Sequence, residues 1–481
     1  MGKGTFNVMD FGAPADGTAL ATEAIQKAIE ACHSSGGGTV LVPPGEYLTD
    51  TLQLRDHVHL HLSAGARLRG STDIDHYRTV GASGRRRGML FAEDAENIAI
   101  TGHGTIDGSG SEFMDWDRYH DPDDYDRRFT RQGDDYPSGP ALTADGPVAY
   151  ARRPGMLVVL VDCENIVISD ITLADSPNWT LRVATCDDVS IRGITIRNNQ
   201  MVPNSDGIHV TSSRNVRISD CDLRCGDDAV CVTGFGSAGF RDGDGEPEHG
   251  HPVGTCENVV VSNCVLSSRS SAVRVGYGAA GVRNCLFQNL VVHDSNRGLG
   301  VFVRDGGSVE NVLFSNVTIN TRLMEGNWWG RGEPIHISAV RRDSDGPPMG
   351  TIRNVRFSNI VARSESGILL YGTPESELED LLLDNVQLTV VPGGHADVPG
   401  EHGRAIGGNF DLRPAASMEQ AVFRHDIPGI YAQHIQGLTL RNCDVRQSPD
   451  LPPYHTAAFE THEVQDVTIV GCPTLGSAPE R

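Results

Sequence analysis

Along most of the chain, apolar and polar residues alternate in short runs broken by a recurrent corner. The segments ENIAITGHGTI (from Glu96), ENIVISDITL (Glu164), DDVSIRGITI (Asp187), RNVRISDCDL (Arg214), ENVVVSNCVL (Glu257), RNCLFQNLVV (Arg283), ENVLFSNVTI (Glu310), RNVRFSNIVA (Arg353), EDLLLDNVQL (Glu379), QGLTLRNCDV (Gln436) and QDVTIVGC (Gln465) share the pattern. Each opens on a polar pair, alternates over a few residues, turns at a polar corner and alternates again. Alternation of this kind is the signature of a strand with one buried face. The starts at Glu164 and Asp187 are 23 residues apart, Asp187 and Arg214 27, Glu257 and Arg283 26, Arg283 and Glu310 27. A period of that length marks a solenoid. The units lack the helical segment that leucine-rich, ankyrin or TPR repeats require, so the predicted fold is all-β, a parallel β-helix whose like residues stack about 4.8 Å apart along its axis. Its aliphatics face inward, and a corner Asn can ladder its amide against the next coil.

A solenoid must cover its ends. In ATEAIQKAIEACHSSGGGTVLVPPGEYL, residues Ala24, Ile25, Ala28 and Ile29 lie at helical spacing before a Gly-rich stop, which predicts an amphipathic capping helix. The chain therefore reads as one β-helix domain over 1–481, with an N-terminal cap at about 1–60, central coils at about 160–340, and C-terminal coils and loops at about 350–481. Three stretches rich in charge, Gly or Pro interrupt the rhythm: Gly110 to Arg153, Ser237 to Val253 and Val390 to Pro428. They are predicted to project as loops, natural walls for a cleft. The length of the first, which holds Asp115, Trp116 and Tyr119, would let it close one end of the cleft and favour exo action, while endo and exo action are both left open.

Charge narrows the partners. The sequence has 40 Lys plus Arg against 63 Asp plus Glu, a formal charge of −23, which disfavours nucleic acid and anionic membrane surfaces. No run approaches the roughly 18 apolar residues of a membrane helix. The opening MGKGTFNVMDFG lacks an apolar signal core. The eleven cysteines show no zinc-site spacing and read as small stacked hydrophobes, a usage that fits a reducing, cytoplasmic compartment slightly better than an oxidising one; a mature exported form is the alternative. No metal or other cofactor is expected, and oligomeric state is left open.

Candidate chemistry lies in PNSDGIHVTSSRNVRISDCDLRCGDDAV, which carries Asp206, Asp227 and Asp228. Asp206 and Asp227 are 21 residues apart, close to one coil, so on one strand of adjacent coils their carboxylates would be about 5 Å apart. Consecutive strand residues face opposite ways, and Asp227 and Asp228 share a cleft only if Gly226 allows the backbone to bend. Three crowded carboxylates cannot all ionise freely, which sets an acid beside a base, the requirement for glycoside hydrolysis. A solvated acidic turn is the alternative on spacing alone.

DFGAPADGT (Asp10 to Thr18), TVLVPPGEYL, GHGTIDGSG (Gly102 to Gly110), NSDGIHV and CGDDAV together resemble the polygalacturonase family of glycoside hydrolases, family 28, over most of the chain to about Leu388. The resemblance implies a right-handed parallel β-helix that cleaves a glycosidic bond in a poly- or oligosaccharide with inversion. Asp227 would be the general acid, with Asp206 and Asp228 positioning and deprotonating the water. The sequence departs from the family's Gly-His-Gly and Arg-Ile-Lys motifs, reading Ser270-Ser271-Ala272 and Gly300-Val301-Phe302. A pectin-like, modified or neutral glycan is therefore expected as substrate. Arg274, Arg297 and Arg304 are candidate replacements for the lost charge. Asn204 and His209 beside Asp206, Trp179 in SPNW, and Trp328, Trp329, Arg331 and Glu333 in EGNWWGRGEPIHIS are further candidates for sugar contact. A β-helix polysaccharide lyase or epimerase and a non-catalytic glycan-binding β-helix are the competing classes.

Overall fold

The structure, a computed structural model, describes residues 4–80, 85–86, 88–117, 148–149, 152–235, 254–324, 330–341, 346, 348–393 and 426–476. Of the predicted loops, Ser237–Val253, 118–147 of the first and 394–425 of the third lie outside these residues, as do Tyr119, Trp328 and Trp329.

Among the described residues, 33 strands join in one sheet wound into a parallel β-helix. One coil runs through Val158–Val161, Glu164–Ser169 and Thr172–Ala174, and the next repeats it with Leu181–Ala184, Asp187–Arg192 and Thr195–Arg197. Each strand pairs in parallel with its equivalent one coil on. On the first strand of successive coils, Leu160, Val183, Val210, Val232, Val275, Val301 and Ile337 lie in register and are buried. Each such side chain contributes about 1.5–3 kcal/mol of burial, and the column makes the core continuous. Phe287, Phe314 and Phe357 stack within it at centroid spacings of 4.8 and 4.9 Å.

The repeated polar corner has two physical jobs. Asn289, Asn316 and Asn359 have φ of 54, 55 and 56°, the left-handed region that Asn tolerates better than branched residues. Their amides also bond coil to coil, Asn316 donating to Asn289 at 3.1 Å and Asn359 to Asn316 at 3.0 Å. Asn258, Asn311 and Asn354 belong to a parallel ladder at the other end of the strand.

The predicted capping helix spans Thr22–Ser34, with Ile25, Ala28, Ile29 and Cys32 buried in the same core as the first coils. Gly36 and Gly37, at φ of 87 and 102°, then turn the chain into Gly38–Val42. Ten of the eleven cysteines are buried and all are free thiols. No helix among the described residues is long and apolar enough to cross a membrane.

Candidate active site

On the first strands, the side chains that alternate with the core column form a second column, itself buried. Arg182, His209, Cys231, Arg274, Gly300 and His336 lie level on six successive coils. Trp179, just before the first of these strands, stacks on His209 with ring centroids 3.7 Å apart. The Arg182 guanidinium lies 5.8 Å from the same indole.

The three aspartates precede these strands, where the chain bends, and each brings an oxygen within 4.8 Å of the other two. Ile208 lies opposite Val230, so Asp206 is level with Asp228. The spacing argument matched it to Asp227 instead; the bend before Val230 makes the coil one residue longer there. Backbone bonds fix the stagger, Gly207 N–H donating to Asp228 O at 2.9 Å and Thr180 N–H to Asp206 O at 3.0 Å. Gly226 allows this path by its size: a Cβ there would lie 2.4 Å from Val202 O and 2.5 Å from Ser205 Oγ.

The aspartates have different surroundings. Asp228 is ion-paired with Arg274 Nε and accepts from Ser271 N–H at 2.9 Å. Arg274 lies over the Tyr277 ring, 4.5 Å from its centroid. Asp227 Oδ1 accepts from Asp228 N–H at 2.9 Å, and burial, then the Asp228 charge, push its carboxyl up to about 7 against the pull of Arg274. Asp206 is 2% exposed; burial and the charges of Asp227 and Asp228 hold it well above the usual carboxylate range. Burial, then Arg274 and Arg182, depress His209 well below an ordinary imidazole.

Ser271 joins this site to a second buried cluster, its Oγ accepting from Arg297 Nη1 at 3.2 Å. Arg297 Nε is 3.9 Å from Glu333 Oε2, and the guanidinium lies 4.8 Å from the Phe302 ring. Glu333 accepts from Arg331 N–H at 2.6 Å and faces His336 Nδ1 at 3.7 Å. Arg304, one residue past the strand Arg297–Val303, is also buried. Asn204 stands apart, accepting from Arg153 at 3.2 Å ahead of the bend. The exposed Trp116 bonds to its own loop through Ser111 O. Cys231, His336 and Arg182 escaped the sequence reading. Aligned by coil, TLRVA, GIHVT, AVCVT, AVRVG, GLGVF and PIHIS place them all at the third position, a signal present in the sequence.

Known proteins are similar to this chain in sequence and in fold. The family model described as glycosyl hydrolases family 28 matches residues 143–397, and one described as rhamnogalacturonase A/epimerase, pectate lyase-like matches 5–66. A probable polygalacturonase of Vitis vinifera is 27% identical, over 79% of this chain and 74% of that protein. An exo-poly-alpha-D-galacturonosidase of Dickeya chrysanthemi is 28% identical, over 59% of this chain and 55% of that protein. The exopolygalacturonase of Thermotoga maritima superposes with a TM-score of 0.64 at 24% identity, covering 81% of this chain and 88% of that one. The family 28 exopolygalacturonase of Yersinia enterocolitica gives 0.66 at 20% identity, covering 96% and 78%. With the match to its model spanning more than half of the sequence and its three aspartates converging on one another, the chain belongs to family 28 of the glycosyl hydrolases.

Proposed function

We propose that this hydrolase cleaves a pectin-type poly- or oligosaccharide with inversion, using Asp227 as general acid and Asp228, with Asp206, to position and deprotonate the attacking water. The observation that carries the reading is the unequal treatment of adjacent carboxyls: Asp227 keeps its proton to near neutrality while Asp228 is held by Arg274. A carboxyl that keeps its proton beside one paired with an arginine supports a division into acid and base. Asp227 gives its proton to the glycosidic oxygen as the bond to the anomeric carbon breaks. Water adds to the opposite face and passes its proton to Asp228.

An inverting pair of carboxyls normally stands about 6.5–9.5 Å apart with water between. The tighter triad here is read as seating the water beside Asp206 and Asp228, outside the space between them and Asp227. Proton NMR of the first product formed tests this, since a retained anomer contradicts inversion.

Asp227→Asn should reduce release of reducing sugar from de-esterified pectin fragments by about 10²–10⁴-fold with the circular dichroism unchanged. Undiminished activity would remove the assignment. An ultraviolet-absorbing unsaturated product would point to a lyase instead.

A second reading concerns the sugar. At the column position between Arg274 and His336 stands Gly300, and Phe302 follows on the same strand. Neither supplies a cation for a uronate carboxylate, which favours an esterified, modified or neutral residue there. Comparing methyl-esterified with free galacturonan oligosaccharides decides between them.

A further inference from the structure

Between the catalytic carboxyls and the column lies a set of atoms that bond breaking leaves unexplained. Asp206 Oδ2 is 3.5 Å from Cys231 Sγ and 3.8 Å from His209 Nδ1, and the three ligand atoms all lie within 4.8 Å of one another. His209 and Cys231 are fully buried neighbours on adjacent strands. His209 Nε2 lies 3.3 Å from Thr233 Oγ1, whose own hydroxyl donates to Val210 O. That orientation makes Thr233 an acceptor for Nε2–H and gives Nδ1 the lone pair. Nδ1 and Asp206 Oδ1 are both buried without a hydrogen-bond partner. An imidazole nitrogen, the Asp206 carboxyl and a sulfur thus cluster, with Oδ2 facing both neighbours and Oδ1 unpartnered, and stacking against Trp179 fixes the imidazole among them.

We infer that Asp206, His209 and Cys231 form a three-ligand site for a thiophilic divalent cation, of which Zn²⁺ is the type. Bonds of about 2.0–2.1 Å to oxygen or nitrogen and about 2.3 Å to sulfur from a tetrahedral centre place an oxygen and a sulfur ligand roughly 3.5 Å apart and an oxygen and a nitrogen roughly 3.3 Å; the Asp206–Cys231 separation of 3.5 Å matches, and the Asp206–His209 separation of 3.8 Å closes by about half an ångström on binding. A hard cation such as Ca²⁺ takes six to eight oxygens, whereas imidazole and thiolate suit zinc. Charge balances as well. A carboxylate and a thiolate neutralise the cation, and the neighbouring Arg274 is already matched by Asp228. Burial holds the Cys231 thiol well above its ordinary range, with Arg274 Nη2 at 3.4 Å from Sγ pulling the other way, so the arriving cation must displace that proton to bind. Thr233 plays the outer partner that fixes a ligating imidazole's tautomer. Three protein ligands leave a fourth position for water or substrate oxygen. Because the cation would hold Asp206, occupancy should inhibit hydrolysis; that consequence rests on the function proposed above, whereas binding does not.

The test titrates the full chain, dialysed against a chelator, with Co²⁺ and then Zn²⁺. About one equivalent of Co²⁺ should bind with a thiolate-to-cobalt charge-transfer band and the strong visible bands of a four-coordinate ion, and Zn²⁺ should erase both. The isosteric Cys231→Ser should abolish the charge-transfer band, and Asp206→Asn should weaken Co²⁺ binding at least about 10-fold, since outer partners alone are worth about 10–100-fold. Absence of the band in the wild-type chain overturns the site whatever the variants do, and so does a band that survives Cys231→Ser. If Co²⁺ binds as described but Zn²⁺ leaves glycan cleavage untouched, the metal site stands and the role given to Asp206 falls.

Discussion

Arg274 and Asp228 form a buried ion pair across two coils, with side chains only 10% and 7% exposed. Removing one member of such a pair strands the other charge and costs about 3–5 kcal/mol. Arg274→Gln should therefore lower the melting temperature sharply and depress kcat, because Asp228 loses the ion pair that fixes its position beside Asp227. Arg274→Lys keeps the charge without the planar fork and should fall between. Thermal melts and initial rates on one substrate check both; a Gln variant that melts and turns over like the wild type would refute the linkage.

Asp227 gives a pH signature of definite sign. Its carboxyl is raised from 3.8 to about 7 in the fold, so between those values the native state holds a proton that the unfolded chain has released. Stability contributed by that proton is complete below about pH 4 and is lost as pH rises through about 7, at most about 4 kcal/mol in all. Asp227→Asn has no charge to bury and should be more stable than the wild type at pH 8, with the difference shrinking toward pH 4. Activity of the wild type should fall above about pH 7 as the acid ionises. Parallel melts at pH 4, 6 and 8 read the first, a kcat/KM profile the second; a less stable Asn variant at pH 8 contradicts the burial argument.

Gly226 is constrained by space alone. An alanine methyl would meet the carbonyl of Val202, which belongs to the backbone and cannot swing aside. Gly226→Ala should cost about 1–3 kcal/mol by overpacking. It should also lower kcat by more than its effect on KM, since Asp227 and Asp228 are the next two residues. A variant with normal kcat would show that the bend tolerates movement.

The corner ladder separates two contributions at one position. Asn316→Ala loses amide bonds to both neighbours and forces a less suited residue to φ of 55°, for a combined cost of about 2–4 kcal/mol. Asn316→Gly loses the same bonds but accepts that φ, so it should retain more stability than the alanine variant. Urea unfolding of the two variants ranks them; equal stability would mean the left-handed backbone costs nothing there.

The strand column and the corner asparagines were legible because each repeats on every coil, so alternation and spacing carry the same message many times over. The capping helix was legible from Ile25, Ala28 and Ile29, whose spacing suits only a helix with one buried face. The partnering of Asp206 was misread by one residue, since a bend between strands changes coil length without changing any periodic position. Cys231 and His336 went unnoticed for another reason. Inside a column a single outward residue looks like any other alternation, and only register across coils shows that it lies level with Arg274 and Gly300.

Gly300 offers a direct test of which sugar the cleft accepts. The backbone puts this position one strand from Arg274 and one from His336, each step about 4.8 Å, a span suited to one sugar ring. A Cβ at Gly300 would lie 2.5 Å from the Phe302 ring, so a longer residue there requires Phe302 to change as well. The double variant Gly300→Arg, Phe302→Lys supplies two cations at this step. If the wild type favours an esterified or neutral residue, the variant should shift the ratio of kcat/KM for free over methyl-esterified galacturonan oligosaccharides upward by about 10-fold or more, since a hydrogen bond to a charged group is worth about 1.5–3 kcal/mol. A wild type that already prefers the free acid, and a double variant that loses that preference, would instead mean that the Arg297 cluster reads the carboxylate and that Gly300 only leaves room for it.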